Sequence, residues 1–468
     1  MKLSEEEKNG AAVWSLANRS FLEDPERSSD SRSGAFAAIL RDNPLKVMSP
    51  QPWPLFIDAG AVEALAPITL GLDRLVKSVP ERFFANDPAR LSAFYGFVER
   101  GLMELILAQP NGIAGAISRG DYVDSAEGLQ CLELNAGSCV GGWQLQALEG
   151  LFLDCPPIAS FLAKHGLRAR HHNTIRLMFR HIIREALQSG VWDGGPLNLG
   201  LVIHPHKPIQ VAIHSSALYN REYRAALAEE KAGLQGEVFL CGYADLAEGP
   251  HGLSYRGARV HAVLDQHNGQ PDPRGFRHFK RGSINLYSGP ITLLLSDKRN
   301  LALLSENAES QDFTAAERDL LARHLPWTRQ VLERETLHRG RRVHLPQLLA
   351  ESRERFVLKK ASSLAGRNVH IGKFLSAAQW QDAVRHALAA GDWIVQEYCE
   401  SRPYYFLDSN DQIVRHTVIW GLFAFGELFG GVFLRLQPDT RGGIVNTAGG
   451  AEVGLLLEVE GSEAEEAM

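Results

Sequence analysis

Arg119, Asp121, Glu133 and Asn135 lie within a window of seventeen residues. The run Arg119-Gly120-Asp121, a gap, then Glu133-Leu134-Asn135 reads as a β-hairpin. One strand spans Ala116 to Val123, a turn follows at Asp124-Ser125-Ala126-Glu127-Gly128, and the return strand spans Leu129 to Leu134. Side chains alternate across a strand, so residues two apart leave the same face. Arg119 therefore shares a face with Asp121, and Glu133 with Asn135. Four polar groups on one side of a twisted ribbon make a poor core. They suit a hard divalent cation held against phosphate oxygens, because Mg²⁺ takes a few oxygen ligands and leaves the rest of its shell to substrate and water. For the hairpin alone, the competing reading is a solvated ribbon carrying ordinary charges.

A second constellation lies more than two hundred residues further on. Phe356-Val357-Leu358-Lys359 reads as a strand ending in lysine, followed by the small-residue loop Ala361-Ser362-Ser363-Leu364-Ala365-Gly366-Arg367-Asn368. Small residues let backbone N–H groups approach phosphates, and lysine supplies a point charge. The strand Trp393–Tyr398 then ends in Gln396 and Glu397, where backbone groups can read an adenine edge. Between the two constellations, Asp297-Lys298-Arg299-Asn300 opens the helix LALLSE. Ser138 follows the hairpin carboxamide closely, as a substrate contact or a plain loop residue. His204-Pro205-His206 lacks the further ligands that zinc needs. His171-His172 reads as a helix cap region, and Pro326-Trp327-Thr328-Arg329 either anchors a helix or brings Arg329 to the site.

The elements that must position these groups follow from periodicity. Apolar residues at three- and four-residue steps predict helices near 60–78, 90–108 and Thr174–Leu187. Leu199–His204, Val211–His214, Val238–Cys241 and Val260–Leu264 read as strands, with a helix over Glu222–Ala232. That alternation favours a parallel, Rossmann-like sheet. No GxGxxG follows a strand, so a dinucleotide site is not indicated. Ile291–Ser296 reads as a strand and Thr314–Arg334 as helical. Strands at Arg355–Lys360 and Val369–Gly372 and a helix at Ala377–Ala390 complete the α/β pattern.

Composition bounds the function. A chain of 468 residues implies two or three subdomains. A net charge of −6, with no basic stripe, argues against a nucleic-acid partner. The five cysteines follow no disulfide spacing and suggest a reducing compartment. No apolar run suits a signal peptide or a membrane span, so a cytoplasmic enzyme is the expectation.

Taken in order, these motifs resemble the circularly permuted ATP-grasp ligases, most closely the synthetase domain of the glutathionylspermidine synthetase type, and eukaryotic-type glutathione synthetases more distantly. The resemblance covers roughly residues 115 to 454. It implies a catalytic arginine at Arg119 and magnesium ligands at Asp121, Glu133 and Asn135. It implies ATP contacts at Lys298, Lys359, Ser362, Ser363, Gly366, Gln396 and Glu397. Gly430-Gly431-Val432-Phe433-Leu434-Arg435 and Val445-Asn446-Thr447-Ala448-Gly449-Gly450 match the family's C-terminal arginine strand and turn, so Arg435, Asn446 and Ser138 are expected to meet substrate. Two departures stand out: the family's Lys-Pro is Lys359-Lys360 here, and the loop has one glycine.

The implied fold is an ATP-grasp in permuted order with a Rossmann-like domain. The expected parts are a polar lead-in (1–45), helices with the metal hairpin (46–195) and the Rossmann-like domain (196–300). After these come a helical connection (301–350), a nucleotide lid (351–400), C-terminal strands (401–460) and an acidic tail (461–468). The implied reaction joins a carboxylate to an amine through an acyl phosphate, using ATP and Mg²⁺. A phosphotransferase acting on a small molecule, and a nucleotide-binding protein without turnover, are the alternatives.

Overall fold

The computed structural model describes residues 4–24, 38–39, 41–45, 48–96, 100–108, 112–203, 209–265, 272–287, 290–363, 366–408 and 412–461. Residues 25–34 of the expected polar lead-in, the His204-Pro205-His206 run, Leu364 and Ala365 of the small-residue loop, and the tail from 462 lie outside the described residues.

The hairpin forms as its alternation predicts, with strands Ile117–Ser125 and Gly128–Ala136. Ser125 closes the turn: its Oγ accepts from Glu127 N at 3.1 Å and donates to Gly128 O at 2.9 Å. The ribbon is the end of an eight-stranded sheet. Along the sheet, Pro50–Asp58 is followed by Glu452–Glu460, Leu428–Pro438, Ile413–Phe425, Ile117–Ser125 and Gly128–Ala136. Tyr404–Leu407 pairs with Ile413–Phe425, and Arg168–Arg170 with Glu452–Glu460. Pro50–Asp58 runs parallel to its neighbour, and the other pairs are antiparallel. Chain segments from both ends of the sequence thus share one sheet.

Helix Ala59–Phe84 packs on this sheet and buries Val62, Leu65, Leu72, Val76 and Val79 at helical spacing. It outruns the expected 60–78 and keeps Pro67 and Pro80 within it. Ser118 points toward this helix, where its Oγ meets Asp73 Oδ1 at 2.5 Å. Arg119, next along the strand, points the other way.

A second sheet has four strands in the order Asn285–Leu286, Ala262–Asp265, Leu199–Val202, Val238–Cys241, all parallel, as the alternation predicts. The expected strand Val211–His214 is instead part of helix Ile209–Glu230. A run of three apolar residues carries no period of its own. The pattern continuing through buried Tyr219, Tyr223, Ala226 and Leu227 is helical. Helix Thr174–Gln188 lies along this helix, tied by Arg176–Glu222 and by Arg180 and Arg184 to Glu230.

The third sheet is antiparallel, in the order Thr328–Gln330, Trp393–Glu397, Phe356–Lys360, Val369–Ile371. With helices Leu345–Glu351 and Ala377–Ala390 it encloses its own core, including Phe356, Leu358, Trp380, Trp393 and Val395.

Three further expectations are corrected. Ile291–Ser296 is helical (Pro290–Leu295), since an apolar run of this length does not distinguish strand from helix. The expected helix 90–108 is two helices, Pro88–Tyr95 and Arg100–Ala108, the first ended by Gly96 at φ +71°. The helix expected from Thr314 to Arg334 stops at His324. Pro326 follows it, and Thr328–Gln330 joins the third sheet.

Candidate functional site

The hairpin register sets Arg119 opposite Asn135 and Asp121 opposite Glu133. Opposite residues of a ladder share a face, so the four predicted groups converge. Arg119 donates from Nε to Asp121 Oδ1 at 2.8 Å and from Nη2 to Oδ2 at 3.2 Å, and its Nη1 reaches Gly141 O at 2.6 Å. Asn135 Nδ2 donates to Asp121 Oδ2 at 3.0 Å and to Glu133 Oε1 at 3.4 Å. In this orientation the amide oxygen of Asn135 is turned away from both carboxylates.

The ladder slips between Asp121 and Tyr122, where Cys131 and Glu133 face consecutive residues and Leu132 is the extra one. On this edge strand Leu132 presents its carbonyl to Lys359 Nζ at 3.0 Å. Lys359 also donates to Gln396 Oε1 at 2.7 Å, and Gln396 is held from behind by Thr328 Oγ1 at 3.1 Å. Lys298 stands 3.3 Å from Glu133 Oε2. It binds the small-residue loop twice, through Nζ to Ser363 O at 2.7 Å and through its backbone N–H to Ala361 O at 3.0 Å. Two lysines from distant chain segments therefore reach the hairpin.

Arg435 enters from the strand Leu428–Pro438. Its Nη2 lies 2.8 Å from Asp121 Oδ1 as an ion pair without hydrogen-bond alignment, and its Nε is buried with no partner. Gly421 pairs with Asp121 on one side and Phe433 on the other. A Cβ on Gly421 would stand 2.8 Å from Arg119 Cδ, so this strand glycine makes room for the arginine.

The other predicted residues sit around this centre. Gly366, at φ +68°, packs against the 444–446 turn, where a Cβ would meet Asn446 Nδ2 at 2.6 Å. Asn446 Oδ1 accepts from Gly449 N. Ser362 is exposed, and Ser363 Oγ donates to Arg367 O at 2.6 Å. The Glu397 carboxylate turns to His338, Arg339 and Arg355, at 3.1, 3.3 and 3.2 Å. The N–H groups of Glu397 and Tyr398 are donated to Trp327 O and Arg355 O within the sheet. Ser138 is buried and joins the hairpin to the parallel sheet, donating through Oγ to Asp265 O and through N to Tyr287 O. Arg329 hydrogen-bonds to Thr336 Oγ1, Ser305 Oγ, Thr328 O and Leu337 O, none of them in the hairpin cluster.

Sequence reasoning passed over the carbonyls of Leu132, Gly141 and Ser363, the backing hydroxyl of Thr328, and the pair Gly421 and Phe433. Backbone acceptors leave no residue-type signal. Gly421, a lone glycine inside an apolar strand, was the one visible clue to a close approach.

The electrostatics favour an anion. Arg119, Arg435, Lys298 and Lys359 face Asp121 and Glu133, leaving an excess of two positive charges. Burial pushes the Asp121 pKa up, but the adjacent Arg119 and Arg435 guanidiniums outweigh it and hold the carboxyl well below the usual carboxylate range. Burial lowers the Lys359 pKa, Glu133 opposes that shift and Lys298 adds to it. Among the described residues no three or more His, Cys, Asp and Glu side chains gather as a metal cage. With the Asn135 amide turned over to present its oxygen, the two carboxylates and the carboxamide, beside the buried Arg435 Nε that has no hydrogen-bond partner, form a donor set that would suit a hard divalent cation next to an anion.

The arrangement is that of a mixed α/β protein. The chain is similar in structure to a glutathione synthetase-like effector from Globodera pallida, solved in its apo form, with a TM-score of 0.54 and 12% identity over 92% of this chain and 98% of that one. At that identity the likeness is one of fold. No family model matches the chain, and no curated protein matches it in sequence. No helix among the described residues is long and apolar enough to cross a membrane.

Proposed function

We propose that this chain is an ATP- and Mg²⁺-dependent carbon–nitrogen ligase of ATP-grasp type in permuted order, joining a carboxylate to an amine and releasing ADP and phosphate. The observation that carries the reading is the meeting of the early hairpin with the late lysine strand: Lys359 Nζ lies 3.0 Å from Leu132 O, beside the Lys298–Glu133 pair. The glutathione synthetase-like fold supports the same class.

In this reading the nucleotide supplies the phosphoryl group that makes a carboxylate electrophilic. Asp121, Glu133 and, with its amide turned over, the oxygen of Asn135 would hold the metal. Lys298 and Lys359 neutralise phosphate charge, and Lys298 fixes the small-residue loop through its hold on Ser363 O. Ser362, Ser363 and Gly366 line that loop, and Gln396 and Glu397 mark the adenine end. Arg119 presents a planar donor fork to the transferring group and later to the oxyanion, a geometry lysine cannot supply. Arg435 and Asn446 would serve the substrates, while Ser138, buried between the hairpin and the parallel sheet, would hold the two together rather than meet substrate. The third sheet acts as the nucleotide lid, the parallel sheet as the Rossmann-like domain, and the cytoplasm is the proposed compartment.

The test is a screen of amino acids, dipeptides and polyamines in pairs, following ADP release and product mass. The reading requires ADP release that depends on both an amine and a carboxylate. ADP release with a stable phosphorylated product and no amine requirement would replace it with a phosphotransferase.

A further inference from the structure

Phe433 has no polar atom and no part in the roles given above, yet three features of the site converge on its ring. The Arg119 guanidinium carbon lies 5.3 Å from the ring centroid, and that of Arg435 lies 5.6 Å away. Both distances are within the range over which an aromatic face attracts a cation. Gly142, at φ +105°, presses on the same ring: a Cβ there would stand 2.3 Å from Phe433 Cγ. The carbonyl just before Gly142 is the Gly141 oxygen that accepts from Arg119 Nη1. One short segment therefore clamps the ring and takes the third bond of the arginine.

The arrangement answers an electrostatic problem. Two guanidiniums both stand 2.8 Å from one oxygen, Asp121 Oδ1, inside the protein. Like charges so close repel, and repulsion is strong where water is excluded. Asp121 offsets that repulsion only while its charge is directed at the arginines, and a metal ion would draw it away. The negative face of a fixed aromatic ring is a second stabiliser that a metal does not compete for.

Resting on the ligase reading, we propose that Phe433 is a positioning residue. Its ring, immobilised by Gly142, shares with Asp121 the holding of Arg119 and Arg435 in the ligand-free site, and carries more of it when Asp121 turns to magnesium. It touches neither nucleotide nor substrate.

The test replaces Phe433 with phenylalanines carrying one, two and three ring fluorines, which weaken the negative face while nearly preserving shape. The first readout uses the ligand-free protein labelled at arginine, with the two guanidinium signals assigned through Arg119→Lys and Arg435→Lys. Exchange of their N–H groups with solvent is expected to accelerate with each fluorine. The second readout is turnover: kcat is expected to fall by roughly threefold to thirtyfold across the series, with the KM for ATP little changed. Phe433→Leu should resemble the most fluorinated protein. Guanidinium exchange indifferent to fluorination overturns the proposal, as does a fall confined to thermal stability. A wild-type chain without turnover would count against the ligase reading alone, and the exchange experiment would still decide the role of the ring.

Discussion

Arg119 makes three kinds of contact at once: a two-point bond to Asp121, a bond to the Gly141 carbonyl and a ring contact with Phe433. Lysine can reproduce the charge but not the fork. Arg119→Lys is therefore expected to lower kcat by about 10²–10³-fold, the size of effect seen when one donor to a developing oxyanion is removed. Nucleotide affinity should change only a few-fold, because Lys298 and Lys359 remain. Titration calorimetry with ATP, set beside the turnover assay, separates the two quantities. A parallel loss of both would mark Arg119 as structural. The strand spacing of Arg119, Asp121, Glu133 and Asn135 made these four legible from residue types, since alternation alone puts each pair on one face.

At the scale of elements, the small-residue loop and the 444–446 turn act together. Gly366 holds φ +68°, a region that disfavours side chains, and its open side faces Asn446 Nδ2 and Ile444. Gly366→Ala adds about 1–2 kcal/mol of backbone strain and a close approach to Asn446. The loop should lift from the turn, and the KM for ATP should rise about tenfold, as that strain implies. An unchanged KM would mean that the loop does not meet the nucleotide. The single glycine of this loop was visible in the chain, but its partner turn, some eighty residues on, was not. Short apolar runs were the weakest ground: Val211–His214 and Ile291–Leu295 are both helical, because three or four apolar residues fit either period.

At the scale of the whole molecule, helix Thr174–Gln188 and the residues before it connect parts of the chain far apart in sequence. His181 Nε2 lies 2.8 Å from Gly115 O, beside the hairpin, and His171 Nδ1 lies 2.9 Å from Leu456 O, in the last strand. Burial lowers both pKa values to about 4, with the backbone carbonyl bonds opposing part of that shift. In the unfolded chain these histidines take up protons near pH 6.5. Between about pH 6.5 and 4 the unfolded state therefore binds more protons, so stability falls as pH drops through that window. The loss is up to about 3 kcal/mol per histidine. Urea midpoints measured from pH 7 to 4 should show it, and His181→Phe should be less stable at pH 7 but flatter across the window. An identical slope in the variant would remove His181 from this account.

What the amino-acid order decided by itself is local: which groups share a strand face, where alternation or a helical period runs, and which chemistry a set of two carboxylates, a carboxamide and an arginine can perform. The parallel order of the second sheet was readable too, because strand–helix alternation permits few other outcomes. Only the folded chain decided that Ile413–Phe425 pairs with the early hairpin and that the lysine strand lies against its edge. Only the fold, likewise, made Arg435 a second partner of Asp121. Those contacts join residues hundreds apart, through backbone carbonyls and the space left by glycines, and neither is encoded in the spacing of any one segment.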